Sequence, residues 1–80
     1  KIIANGCRYN VDGFDPITKT VYEYFGNFWH GNPEYYNEND FNPVNKKTYG
    51  ELYQLTLDKI DNLKADGYNV IYKWGDRKDL

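Results

Sequence analysis

The stretch from Thr48 to Trp74, TYGELYQLTLDKIDNLKADGYNVIYKW, reads as one helix followed by one strand. Thr48 and Glu51 are spaced as a capping box, in which the hydroxyl accepts from the third helical N–H and the acid reaches back to the cap. Gly67, just after Asp66, supplies the residue that ends a helix most easily, so the spacing predicts a helix from about Thr48 to Asp66. At about 100° per residue, Tyr49, Leu52, Tyr53, Thr56, Ile60 and Leu63 share one stripe, while Asp58, Asp61 and Asn62 face away. Thr56, mid-stripe, is either a core threonine bonded back to its own helix or a group that reaches a site. Tyr68 to Trp74 (YNVIYKW) is rich in aromatic and β-branched residues. A strand that follows a crossover helix should lie parallel to a strand already in the sheet.

Two earlier runs supply that sheet. Arg8 to Phe14 (RYNVDGF) and Thr20 to Phe25 (TVYEYF) flank Asp15-Pro16-Ile17-Thr18-Lys19, where Pro16 fixes a turn. They read as an antiparallel hairpin from Arg8 to Phe25. The fold class is therefore α/β: an antiparallel hairpin, one crossover helix and a parallel final strand. Depending on register, Asp12 lies opposite Tyr22 or Glu23, and the two carboxylates can approach on neighbouring strands. Two unpaired acids at close range repel, which raises a pKa or recruits a cation. Oxygen-only ligands suit Mg²⁺ or Mn²⁺ better than Zn²⁺. The plainer reading is that Asp12 flanks Gly13 in a bend and Glu23 points to solvent.

Tyr22 to Asn32, YEYFGNFWHGN, adds a histidine and two large aromatics to this acid pair within a strand-to-loop passage. Two acids and one histidine beside exposed aromatics point to metal-assisted hydrolysis of a nucleic acid. Gly31 to Lys47 is rich in Asn, Pro, Tyr and acids, without helical or strand periodicity, and reads as a surface loop. Lys46 and Lys47 at its end are either solvated or in contact with phosphate.

Composition bounds these readings. Eighty residues, 40% of them hydrophobic, allow one domain with a modest core. With no Met, the chain reads as a piece of something longer. A single cysteine, Cys7, excludes an internal disulfide and favours a reducing compartment. No apolar run approaches the roughly 20 residues of a membrane span. A net charge of −2, with Lys46-Lys47 and Arg77-Lys78 the only adjacent basic pairs, argues against a purely electrostatic DNA binder. Nine Tyr, four Phe and two Trp exceed the needs of a small core, so some serve as stacking platforms or interaction surface.

The order of acidic hairpin, GNFWHG (Gly26 to Gly31), helix and GYNVIYKW (Gly67 to Trp74) resembles the catalytic core of the very-short-patch repair endonucleases and their homing-endonuclease relatives. These belong to the PD-(D/E)xK restriction-endonuclease-like superfamily. The resemblance runs from about Arg8 to Trp74, and Phe28-Trp29-His30 is its most specific piece. It implies a restriction-endonuclease-like core in which Asp12 and Glu23 hold Mg²⁺ or Mn²⁺ with the backbone carbonyl of Tyr24. The motif lysine falls on Phe25 and is missing. His30 matches a histidine with a catalytic role, and Phe28 and Trp29 match aromatics that wedge into the base stack. Asn27, Asn32 and Glu34 stand about where zinc ligands would fall, so no zinc is expected. The family's N-terminal acidic helix has no counterpart before Lys1, and Thr56 holds the inward position that a further acid on the long helix would take.

The resemblance thus implies a cytoplasmic Mg²⁺-dependent DNA endonuclease of a bacterial or phage-infected cell. Asp12, Glu23 and His30 are its catalytic residues, and Phe28, Trp29, Lys46 and Lys47 meet the DNA. Its partners are DNA and an additional DNA-binding domain outside this chain, with no membrane. The alternatives are a non-catalytic DNA- or protein-binding module of the same fold, and an aromatic-rich protein-binding domain whose acids are incidental.

Overall fold

The protein, as a computed structural model that describes residues 2–76, is built from five strands and two helices among those residues. In chain order they are β1 (Ile2–Ala4), β2 (Cys7–Tyr9), β3 (Gly13–Asp15), β4 (Thr20–Gly26), α1 (Asn27–His30), α2 (Tyr49–Ala65) and β5 (Asn69–Gly75). This is a small α/β domain with short hairpins and a mixed sheet of order β3-β4-β5. The basic pair Arg77-Lys78 lies outside the described residues.

Period-two alternation in β4 sets the layers. Val21, Glu23 and Phe25 are buried, whereas Tyr22 between them is exposed. The helix α2 contributes Tyr49, Leu52, Thr56, Ile60 and Leu63 as its buried residues. Its start is the expected capping box: the Glu51 N–H donates to Thr48 Oγ1, and the Thr48 N–H donates to Glu51 Oε1, each at 3.1 Å. Past Asp66 the chain turns through Gly67, and the Tyr68 N–H closes on the Leu63 carbonyl at 3.0 Å. The crossover then lays β5 parallel to β4, pairing Val21 with Val70, Glu23 with Tyr72 and Phe25 with Trp74. Both the helix and the parallel final strand stand where the spacing places them, within a residue or two.

The hairpin is shorter than the sequence predicts. Only Gly13–Asp15 pairs with β4, from Gly13 opposite Tyr22 to Asp15 opposite Thr20. The upstream residues Cys7–Tyr9 pair instead with Ile2–Ala4 across Asn5-Gly6, whose φ values of 50° and 80° suit a two-residue hairpin turn. That pairing buries Ile2 and Ala4 against Val21 and Leu63, with Tyr9, Val11, Tyr68 and Val70 packed around them. The chain therefore bends between β2 and β3 rather than running straight.

Three further local expectations change. Asn62 does not face away: half-buried, it donates to the Tyr9 hydroxyl at 2.7 Å and accepts from Asn5 at 2.8 Å, because the β1–β2 hairpin packs on that side of α2. Asn27–His30, read as loop, coils into one helical turn. The segment after it is largely exposed, but Asn42 is fully buried. Its side-chain amide donates to the Phe28 carbonyl at 3.0 Å while its Oδ1 accepts from the Val44 N–H at 2.9 Å. This ties the loop to the end of α1. Asn42→Ala should therefore lower unfolding free energy by about 1–3 kcal/mol in urea denaturation, since it strands buried polar groups. Asn45→Ala, which removes an exposed loop bond to the Lys47 N–H, should change it by about 0.5 kcal/mol or less.

Candidate active site

The bend before β3 brings the two acids into one bonded unit. With Gly13 opposite Tyr22, Asp12 falls opposite Glu23. Its backbone N–H donates to Glu23 Oε1 at 3.2 Å, and its own Oδ2 accepts from the Tyr24 N–H at 2.7 Å. Asp12 is exposed, whereas Glu23 is buried on the helix-facing side of the sheet. Glu23 thus does not point to solvent, and Asp12 does more than flank a bend.

A buried carboxylate needs a counter-charge, and α2 provides it. Lys59 Nζ lies 2.9 Å from Glu23 Oε2 and donates to the Asn10 carbonyl at 2.8 Å. By sequence alone Lys59 reads as one more solvated helix lysine. It stands three residues after Thr56 and one before Ile60, on the shoulder of the apolar stripe, and that spacing was the available signal. Phe25, where the superfamily motif would place a lysine, is fully buried against the rings of His30, Tyr72 and Trp74.

His30 closes the one-turn helix. Gly31 follows it in the left-handed region at φ 65°, and a Cβ there would sit 2.1 Å from the Tyr49 carbonyl oxygen. Only glycine allows α1 to abut α2 this closely. The approach places His30 Nδ1 3.0 Å from Thr56 Oγ1. Thr56 also donates back to the Leu52 carbonyl at 3.0 Å, the helix-bonded core role expected of it, while its oxygen faces the His30 ring. Its single hydroxyl proton is used on Leu52, so it accepts from Nδ1–H of His30, and Nε2 keeps the lone pair of the neutral ring. Burial first, and the Lys59 charge second, lower the His30 pKa from 6.5, while Asp12 opposes the shift. At neutral pH His30 is an uncharged imidazole with one open acceptor nitrogen.

Beside it lies a groove of about 300 Å³ whose lining includes Trp29, His30, Leu55, Thr56 and Lys59. Trp29 is 41% exposed there. Phe28 is half-buried, edge-on to Trp29, Tyr36 and Tyr49. Lys46 and Lys47 are exposed, outside the acid cluster; Lys47 lines a neighbouring depression with Glu51, Gln54 and Leu55. Asn27 and Asn32 are buried and bonded to each other at 2.8 Å, and Asn32 Oδ1 takes the Glu34 N–H at 3.0 Å.

As a donor set, Asp12 and Glu23 fit a hard cation such as Mg²⁺ or Mn²⁺, which takes one or two carboxylates and completes its sphere with water and substrate oxygens. Among the described residues no three His, Cys, Asp or Glu side chains gather to cage an ion. The chemistry on hand is thus an acid pair, an ammonium, a neutral imidazole and a stacking face. Compared with known proteins, the chain matches no family model, no curated protein and no solved structure.

Proposed function

We propose that this chain is a metal-dependent DNA endonuclease core that hydrolyses a phosphodiester bond, built on a restriction-endonuclease-like fold and akin to the very-short-patch repair and homing enzymes. The observation that carries the reading is the bonded cluster of Asp12, Glu23 and Lys59, whose lysine lines the same groove as His30. Asp12 and Glu23 would hold Mg²⁺ or Mn²⁺ with the Tyr24 carbonyl, and the ion would supply Lewis-acid polarisation of the scissile phosphate. His30 Nε2 takes a proton from the attacking water, and Thr56 keeps the ring in the tautomer that can accept it. Trp29, backed by the edge of Phe28, stacks on a base, and Lys46 and Lys47 meet backbone phosphate. Among the described residues no helix is long and apolar enough to cross a membrane. The proposed setting, suggested by the lone cysteine Cys7, is the reducing cytoplasm, where a further DNA-binding domain would add affinity.

One observation favours a second reading. Both Glu23 oxygens already have partners, from the Asp12 N–H and from Lys59, as in a purely structural ion pair. That is what a non-catalytic binding module of the same fold requires. Cleavage assays separate the two.

Asp12→Asn should raise the Mg²⁺ concentration for half-maximal cleavage by at least the roughly 10- to 100-fold that losing even an outer-shell partner costs. Parental cleavage by this variant at low Mg²⁺ would remove Asp12 from the ligand set.

His30→Ala should lower the single-turnover rate by about 10² to 10⁴-fold with the fold intact. The base works only when neutral, and its pKa lies below 6.5. Parental kcat/KM should therefore hold as pH falls to that value and drop only below it, and the variant should lack this limb. Trp29→Ala should instead weaken DNA binding by about 1–3 kcal/mol. A flat parental profile through this range would exclude His30 as the base.

A further inference from the structure

The sequence offers no cation on β4 itself, yet the acid pair holds one, and its placement differs from that of a closed structural bridge. The Glu23 side chain is 5% exposed and that of Lys59 is 18% exposed, so the ammonium stands between the buried acid and the groove. Two of its three N–H donors are used, on Glu23 Oε2 and the Asn10 carbonyl. The four-carbon stem is flexible and passes the Tyr9 ring, with Nζ 5.8 Å from the ring centroid. Lys59 also shares the groove lining with His30 and Trp29, where a nucleotide bound for hydrolysis would lie.

Charge balance gives this position a consequence. Without a divalent ion, Glu23 is compensated by Lys59, and the cluster of Asp12, Glu23 and Lys59 carries one negative charge in excess. With a divalent cation held by Asp12 and Glu23 that excess would be reversed and the ammonium repelled. A phosphodiester then restores neutrality by attracting it.

We infer that Lys59 is an exchangeable counter-ion. It guards Glu23 while the acid pair is empty, gives up that oxygen to the divalent cation, and moves its ammonium onto the scissile phosphate. This rests on the nuclease reading. It makes Lys59 a competitor of the metal before substrate arrives and a catalytic residue afterwards, when it offsets the charge that builds on the phosphate oxygens. A structural clasp behaves oppositely, because losing it disorders Glu23 and weakens metal binding.

The test combines metal affinity in the absence of DNA with turnover. Mn²⁺ binding to the full chain is followed by electron paramagnetic resonance for the parent and for Lys59→Met, which keeps length and removes charge. The variant should bind Mn²⁺ about tenfold more tightly, since a repelling charge is gone, yet cleave DNA about 10² to 10³-fold more slowly in single turnover. Weaker Mn²⁺ binding overturns the exchange and leaves a structural clasp. Tighter binding with parental cleavage overturns the phosphate role. If the parent itself binds no Mn²⁺, the nuclease reading falls with the inference, an outcome distinct from both. Should Lys59→Met fail to fold, ¹⁵N spectra of the lysine ammonium in the parent serve instead. Added Mg²⁺ should shift the Lys59 signal, and an unshifted signal at saturating Mg²⁺ overturns the proposal.

Discussion

The structure turns on an acid placed where the sheet demands an apolar side chain. Because side chains in a strand alternate, Glu23 shares the inward face of β4 with Val21 and Phe25, and cannot reach solvent without a register slip that would expose both. An uncompensated carboxylate there costs several kcal/mol, enough to consume much of the stability of so small a domain. Relief comes from two directions, the Asp12 N–H and the Lys59 ammonium. The same ammonium holds the Asn10 carbonyl, so the strand, the helix and the bend before β3 are fastened at one point. The interruption of the expected long hairpin and the assembly of the acid pair are thus one event: a straight run through residues 10–12 would deny Glu23 its N–H and Lys59 its carbonyl.

The histidine is fixed by a second constraint, steric rather than electrostatic. Gly31 lets the end of α1 press against the first turn of α2, and no residue with a Cβ fits that gap. His30 is thereby held over Thr56, whose proton is committed to its own helix. Backbone geometry thus selects the tautomer. Lys59 joins the two constraints, because it balances Glu23 and also helps keep the His30 ring uncharged. Losing its charge would therefore alter both the Glu23 carboxylate and the His30 ring.

What the sequence made legible was local in origin. Thr48, Glu51 and Gly67 mark the ends of α2 by short-range hydrogen bonding, and the crossover leaves β5 little choice but a parallel pairing. Asp12 and Glu23 could be matched across a turn because register follows from counting. Lys59 could not: a lysine on a helix shoulder reads as solvated, and its partner lies 36 residues away. Asn62 and Asn42 were hidden for the same reason, since a buried amide is recognised only once its distant acceptor is in place. The β1–β2 hairpin was different. Asn5-Gly6 is a strong turn signal, but the strands it joins have three residues each, too short for alternation to show.

The charge distribution bears on how such a site would use a polyanion. The chain is net negative, and of its adjacent basic pairs only Lys46-Lys47 lies among the described residues, outside the acid cluster. Broad phosphate contact would therefore contribute little, and attraction would be concentrated in Trp29, Leu55 and Lys59, which line the groove. A base stacked on Trp29 would be bound about equally in ground state and transition state, which would lower KM alone. An ammonium that meets phosphate only after a cation has displaced it contributes mainly once charge develops there, which raises kcat. In the proposed nuclease, separating recognition on an exposed aromatic from charge stabilisation by a lysine kept in reserve would let a mildly acidic surface handle DNA without holding it tightly. Lasting attachment would then fall to the further DNA-binding domain of the proposed function.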